Sequence, residues 1–370
     1  MTITCLIGNG FDLGLGLKTR YLDFLPWYLS RKSLKSNAVK WLCGQIENSK
    51  DETWGDAEMA FGQLPFSDAG DDVAGIVDET LIDFQKDLSL YIGLQQNRMS
   101  IAADERSDVR DKFVASVIKS LYLDAGSTAN VDLQFALRRQ QVIDLNFVTF
   151  NYTRTLEVLL GGAASSGVFQ VPISGRENAY VRVAPICYVH GSLRDRNSVL
   201  GVDNVDQIFD QKAIVHCETT GMLLKPRTDV LLDYGFEKVA KEMISQSNRI
   251  VCLGLSYGAS DVRWWEYIYH ILLQNENRRL LLSPYFRENR SCETSAEQSV
   301  IARGVRNAFL NSIADKNETA VYDLSGMNAV RPRMAVMKHS PHYDFDRNAG
   351  YCDPFNLAWF GKKYVKDYDK

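Results

Sequence analysis

The chain has 370 residues, 45% of them apolar, enough to bury a substantial core in one large domain or two smaller ones. Its 42 Lys and Arg against 46 Asp and Glu give a net charge of −4, and the basic residues are scattered, so the footprint of a nucleic-acid-binding surface is missing. No run approaches the roughly twenty apolar residues of a membrane span, and Met1–Ile7 lacks the basic start of a signal peptide, so a cytoplasmic protein without membrane partners is expected.

Residues 2–7 read as a buried strand of β-branched and apolar side chains that stops at Gly8. From about 20 to 140 the pattern turns helical. Tyr21-Leu22, Phe24-Leu25 and Tyr28-Leu29 recur at helical spacing, Ile76, Thr80, Phe84, Leu88 and Ile92 do so on a longer helix, and a third helix is expected over about 108–123. No Pro/Gly-rich linker bounds this stretch, so it reads as a helical insertion after the first strand. Further strands are expected at Val142–Phe150, Val183–Val189, Arg249–Leu253 and Arg279–Ser283, with helices near 154–160, 235–247 and 261–275 between them. That alternation predicts an α/β fold built on a Rossmann-like parallel sheet covered on both faces. The 192–234 stretch reads as loop-rich, and the chain beyond 323 as irregular up to a short apolar helix around 355–366. The expected organisation is a core of residues 1–20 and 140–323, an insertion of 21–139, and a C-terminal extension of 324–370 packed on the core.

Four short segments each follow a predicted strand: Leu6-Ile7-Gly8-Asn9-Gly10-Phe11-Asp12, Thr149-Phe150-Asn151-Tyr152-Thr153, Val189-His190-Gly191 and Gly254-Leu255-Ser256. In open parallel sheets ligands bind at those carboxyl ends. Gly8 and Gly10 bracket a turn whose backbone N–H groups can approach a diphosphate, with a tight turn alone as the plainer reading. Asn9 and Asp12 suit a ribose or a helix cap equally, and Asp261, five residues after Ser256, suits a cap better. Asn151 alone would read as an N-cap or turn residue, but Phe150 and Tyr152 flank it with aromatic surface suited to a flat ring such as nicotinamide. His190 is followed by Gly191, which lets the chain turn sharply; an imidazole there can take a proton from a ribose hydroxyl or water. Glu58, in Trp54-Gly55-Asp56-Ala57-Glu58, reads first as a solvated helix glutamate, and Trp264, Trp265, Tyr267 and Tyr269 as core or subunit contact. His216 and His270 lack a comparable context, and Pro341 makes His339 and His342 a loop pair rather than a metal site.

In this order the segments resemble the sirtuin-like fold, where a Gly-Ala-Gly turn, a Thr-Gln-Asn-Ile-Asp segment, a His-Gly pair and a Gly-Thr-Ser turn surround NAD. They resemble more closely the phage abortive-infection family called AbiH, whose members carry Gly-Asn-Gly-Phe-Asp after a first strand, then Gly-Leu-x-Thr-x-Tyr (here Gly16-Leu17-Lys18-Thr19-Arg20-Tyr21), and later Phe-Asn-Tyr-Thr and His-Gly. A Trp-x-x-x-Glu element matches Trp54 and Glu58. The likeness rests on motifs spread over about residues 1–285. It implies a sirtuin-like nucleotide-binding core and NAD as substrate. Asn151 would hold the nicotinamide ribose and the attacking water, and His190 would take a proton. The site would be lined by Gly8, Asn9, Gly10, Phe11, Asp12, Thr19, Tyr152, Gly254, Ser256, Asp261 and Ser283. Thr153 departs from the pattern, standing where sirtuins carry Asp. The implied activity is that of an NAD glycohydrolase that releases nicotinamide and depletes NAD in an infected cell. The alternatives are a non-catalytic nucleotide-sensing module and a toxin acting on another substrate. A homo-oligomer and a phage-derived trigger are the partners such a role implies. Seven cysteines, at 5, 43, 187, 217, 252, 292 and 352, form no Cys-x-x-Cys pair, so neither zinc nor another metal is expected.

Overall fold

The structure, a computed structural model, describes residues 1–124, 131–161, 167–174, 177–193, 195–283, 295–314, 324–337 and 357–366. Its frame is one sheet. The strands β1 (Thr2–Ile7), β2 (Val142–Thr149), β3 (Val168–Ser174), β4 (Glu177–Val183), β5 (Cys187–Tyr188), β6 (Arg249–Leu253), β7 (Arg279–Ser283) and β8 (Met334–Val336) lie in the order β3-β4-β2-β1-β6-β7-β8, with β5 paired to β2. Every pairing is parallel except the β3–β4 hairpin. The parallel strands β4, β2, β1, β6, β7 and β8 therefore stand in the 3-2-1-4-5-6 order of doubly wound sheets. Winding reverses between β1 and β6, and a crevice opens above that point.

Alternation along β1 feeds two core layers. Ile3, Cys5 and Ile7 pack with Phe113, Val117 and Phe147 on one face. Leu6 packs with Val148, Cys252, Trp265 and Ile268 on the other. A central strand covered on both faces has no place for polar alternation, which is why Ile3–Ile7 reads as a nearly unbroken apolar run.

The β1–β2 connection holds α1 (Gly10–Gly14), α2 (Tyr21–Ser30), α3 (Asn37–Asn48), α4 (Ala57–Gly62), α5 (Val73–Gln96), α6 (Arg106–Asp124) and α7 (Val131–Arg138), the expected helical insertion. An aromatic core holds its first half, with Phe84 edge-on to Phe24 at 5.1 Å and to Phe61 at 4.8 Å between ring centroids. That core continues into Leu200, Val202, Leu223 and Leu224. The 192–234 stretch is thus less loop-rich than expected. After α8 (Thr155–Leu159) it carries α9 (Gln211–Thr220) and α10 (Lys225–Leu231). Only Ala213 and Cys217 of α9 are buried, too few apolar positions to show a period, although Asp210 caps the helix and Gly221 ends it at φ +77°.

The expected strand Val183–Val189 is also corrected. β4 ends at Val183 and β5 resumes at Cys187, because Pro185 between them has no N–H to give to β2. The helices α11 (Phe236–Ser245) and α12 (Val262–Gln274) fall where predicted, and α12 buries Trp264, Trp265 and Tyr269 as core. Beyond them come α13 (Ser295–Ala314), α14 (Leu324–Val330), β8 and α15 (Leu357–Tyr364). The short strand β8 joins β7, so part of the stretch expected to be irregular completes the sheet. His339, His342, Cys292 and Cys352 lie outside the described residues. No helix among the described residues is long and apolar enough to cross a membrane.

Candidate active site

A cleft of about 400 Å³ occupies the crevice at the carboxyl ends of β1, β2, β5 and β6. The sheet contributes Gly8–Gly10, Asp12, Phe150–Thr153, His190, Gly254–Ser256 and Asp261; the insertion contributes Thr19–Tyr21, Gly55, Asp56, Glu58, Leu88 and Ile92. Of the predicted site residues, Phe11 and Ser283 do not line it. Phe11 turns into the core, edge-on to Phe113 at 6.1 Å. Ser283 is buried at the end of β7, where its carbonyl accepts the Gly254 N–H at 2.9 Å.

The glycines serve one another before they serve a ligand. Gly8 N–H donates to Leu253 O and Gly10 N–H to Gly254 O, each at 2.9 Å. A Cβ on Gly8 would stand 2.6 Å from Gly254 O, and one on Gly254, whose φ is +64°, would stand 2.6 Å from Gly10 Cα. Two strand-end turns are locked backbone to backbone across the switch point, which only residues without a Cβ permit. The two amides assigned to a diphosphate are therefore occupied. Asn9 does not cap α1; its Oδ1 accepts the Thr19 hydroxyl at 2.5 Å and its Nδ2 donates to Thr19 O at 3.2 Å, tying the Gly16–Tyr21 loop to the turn.

Asn151 follows β2 and is buried. Its Nδ2 donates to Gly8 O at 3.1 Å, which fixes the side chain across the crevice from β1. Two residues on, Thr153 donates to Asp12 Oδ2 at 2.7 Å, and Thr155 donates to the other oxygen. Thr153, which has no carboxylate of its own, thus has one at hand, brought by Asp12. Asp12 is 1% exposed, and burial pushes its carboxyl up to about 6 even though the two threonine hydroxyls pull it down.

His190, buried at 5% exposure, stands edge-on to Phe150 at 5.5 Å. A Cβ at Gly191, whose φ is +71°, would collide with Asn197 O, so this turn requires glycine. His190 Nε2 lies 3.1 Å from Asp261 Oδ1, off the line of a hydrogen bond, and has no hydrogen-bond partner among the described residues. Asp261 makes no side-chain cap to α12. Instead its Oδ1 accepts from Lys225 Nζ at 2.7 Å, and the same ammonium donates to Glu58 Oε2 at 2.9 Å. Tyr152 Oη lies 2.9 Å from Val199 O and 3.2 Å from Glu58 Oε1. Burial alone would raise both carboxyls. At Asp261 the Lys225 ammonium, with His190 beside it, outweighs burial and holds the group well below the usual range; at Glu58 burial prevails and the group is raised. Two acids thus share one ammonium in the cleft wall.

Glu58 is therefore no solvated helix glutamate: it is buried and faces the cleft. Sequence reasoning passes over Lys225, Asp56 and Tyr21 as well. Asp56 caps α4 through Met59 N–H and accepts the Ser260 hydroxyl at 3.1 Å. Among the described residues no group of three His, Cys, Asp or Glu side chains is arranged to hold a metal ion. His216 pairs with Asp78 on α5, away from the cleft.

A family model described as bacteriophage abortive infection AbiH matches residues 5–283. The chain belongs to the AbiH family. A comparison with curated proteins gives no match. The AbiH match takes in all four strand-end segments and every cleft-lining residue named above, and it also spans Lys225. It stops at the end of β7 and leaves α13, α14, β8 and α15 outside. Membership points to a role in abortive infection.

Proposed function

We propose that this AbiH protein hydrolyses the N-glycosidic bond joining nicotinamide to ribose in NAD. The observation that carries the reading is the union, in one cleft at the switch point, of Asn151 with the His190–Asp261 pair, between aromatic rings and buried carboxylates. A pyridinium is a flat cation, and Tyr21, Phe150, Tyr152, Asp12 and Glu58 supply the aromatic and acidic surface that favours one. In the reaction the C1′–N bond breaks and its electron pair leaves on nitrogen, so nicotinamide departs neutral. Positive charge then grows on the ribose, where the carboxylates stabilise it more than they stabilise the ground state. Water adds its oxygen to C1′ while held by Asn151, and its proton passes to His190 and on to solvent. The diphosphate lies at the rim, toward the backbone of Leu255 and exposed Ser256. Loss of NAD would arrest an infected cell, which fits abortive infection.

The test is nicotinamide release from NAD by the pure protein. Asn151→Ala and His190→Ala are each expected to lower the rate on the order of 10²–10⁴-fold while leaving the circular dichroism spectrum unchanged. Both variants working at the wild-type rate would remove the assignment. No release by the wild type, with calorimetric binding of NAD, would favour the nucleotide-sensing alternative.

A further inference from the structure

Lys225 does not line the cleft; it stands behind the cleft wall with its side chain 2% exposed. Its ammonium bridges two parts of the molecule that are far apart in sequence: Glu58 of α4, in the insertion, and Asp261, in the turn that leads from β6 into α12. The backbone that presents it is strained. Leu223 has φ +61°, a left-handed region that a side chain other than glycine's holds only where the surroundings impose it. Here they do: Val202 N–H donates to Leu223 O at 2.8 Å, and Lys225 N–H donates back to Val202 O at 3.0 Å. Gly201, at φ +154°, lies so close to the Leu223 carbonyl that a Cβ would collide with it. Strain of this kind persists where a position matters.

We infer that Lys225 is a positioning residue that locks the insertion onto the sheet and fixes the Asp261 oxygen facing His190. It reaches no substrate. With the ammonium in place, Asp261 Oδ1 is held between Lys225 and His190, and Glu58 is kept in the wall beside Tyr152. Without it, buried Glu58 and half-buried Asp261 would lose their shared counter-charge and separate, and the wall between α4 and the Gly258–Val262 turn would open. The charged and titratable groups around this ammonium are Glu58 and Asp56 from the insertion and Asp261 and His190 from the sheet ends. Asp203 with its partner Arg263 lies behind, and Tyr21 and Tyr152 stand around Glu58.

The activity part of this inference rests on the NAD-cleaving reading, so its experiment has one arm that needs no turnover. In the full chain, Lys225→Met is expected to speed amide hydrogen exchange at least tenfold in Ala57–Gly62 and in the turn over 258–262, leaving β1 and β6 protected. In the second arm the same variant is expected to lower kcat for nicotinamide release at least tenfold, with KM changed by less than about threefold. The acid limb of the rate profile should move to higher pH, since Glu58 and Asp261 would ionise without the ammonium's help. If Lys225→Met does not fold, Glu58→Gln alone carries the exchange arm: faster exchange in Ala57–Gly62 with the 258–262 turn still held by Lys225. Unchanged exchange in both segments overturns the inference. So does a lowered melting temperature with the rate profile and kcat intact, which is what a merely structural lysine would give. A wild type that releases no nicotinamide overturns the NAD reading instead, and the exchange arm still decides the role of Lys225.

Discussion

Asp12 is the residue whose environment costs the fold most plainly. Its carboxylate is buried beside two hydroxyls, with no cation paired to it among the described residues, and its pKa is pushed up to about 6 from 3.8. The folded protein therefore holds this proton more tightly than the unfolded chain does. The contribution of Asp12 to stability is most favourable below about pH 4 and is lost as pH rises through about 6, so at neutral pH the ionised group is a net burden. Asp12→Asn should raise the melting temperature at pH 7.5, by a stabilisation on the order of 1–3 kcal/mol, and the gain should fade as the pH is lowered toward 4. Melts recorded across that range decide it; a gain independent of pH would mean that charge is not the cause. On the proposed NAD-cleaving reading, a carboxylate kept at such a cost in the crevice would face a ribose on which positive charge grows. The positions of Asp12, Asn151 and His190 are legible in the sequence because each follows a strand, and strand ends share one edge. Lys225 is not: a lysine before a proline at a helix start reads as solvated, and only the folded chain sets Glu58 and Asp261 on either side of it.

Among the elements, the turns after β1 and β6 answer to each other. The turn after β1 reads in the sequence as a glycine turn for phosphate and the one after β6 as part of the same nucleotide site, yet their glycines are first of all the means by which two loops touch. A sequence shows that a turn needs glycine without showing what comes near it. Two substitutions separate conformation from contact. A Cβ added at Gly235, at φ +67°, would meet no atom within 4 Å, whereas one added at Gly254, at φ +64°, would meet Gly10 Cα at 2.6 Å. Gly235→Ala should cost about 1 kcal/mol, the strain of the left-handed backbone alone. Gly254→Ala should cost about 1–3 kcal/mol more, the penalty of overpacking against a backbone that cannot give way. Denaturant titration of the two variants checks the difference, and equal costs would mean that the turns yield easily. The larger elements are legible for a related reason. Long amphipathic helices such as α5 and buried strands such as β1 and β6 carry their period in many residues. The three residues of β8, the two of β5 and the two buried positions of α9 do not.

At the scale of the whole molecule the cleft has walls from two sources. The sheet supplies Asn151, His190 and Asp261, while the insertion supplies Thr19, Tyr21 and Glu58. The two are joined from behind as well, since the insertion's aromatic core runs on into Leu200, Val202 and Leu223 of the chain between β5 and α11. A ligand that touches both walls binds the assembled pair and not either part unfolded, so its binding energy adds to the stability of the whole. This is best measured on His190→Ala, in which NAD is expected to bind without being consumed. With NAD at about a hundred times its Kd the added stability is about 2.7 kcal/mol. For a chain of 370 residues, with an unfolding entropy of about 2 cal/mol/K per residue, that corresponds to a rise of about 4 °C in the melting temperature. The expected trace is a single transition that moves as a unit. An insertion that melts first, at a temperature NAD does not change, would mean that the ligand rests on the sheet alone and that Glu58 and Tyr21 are not part of its site.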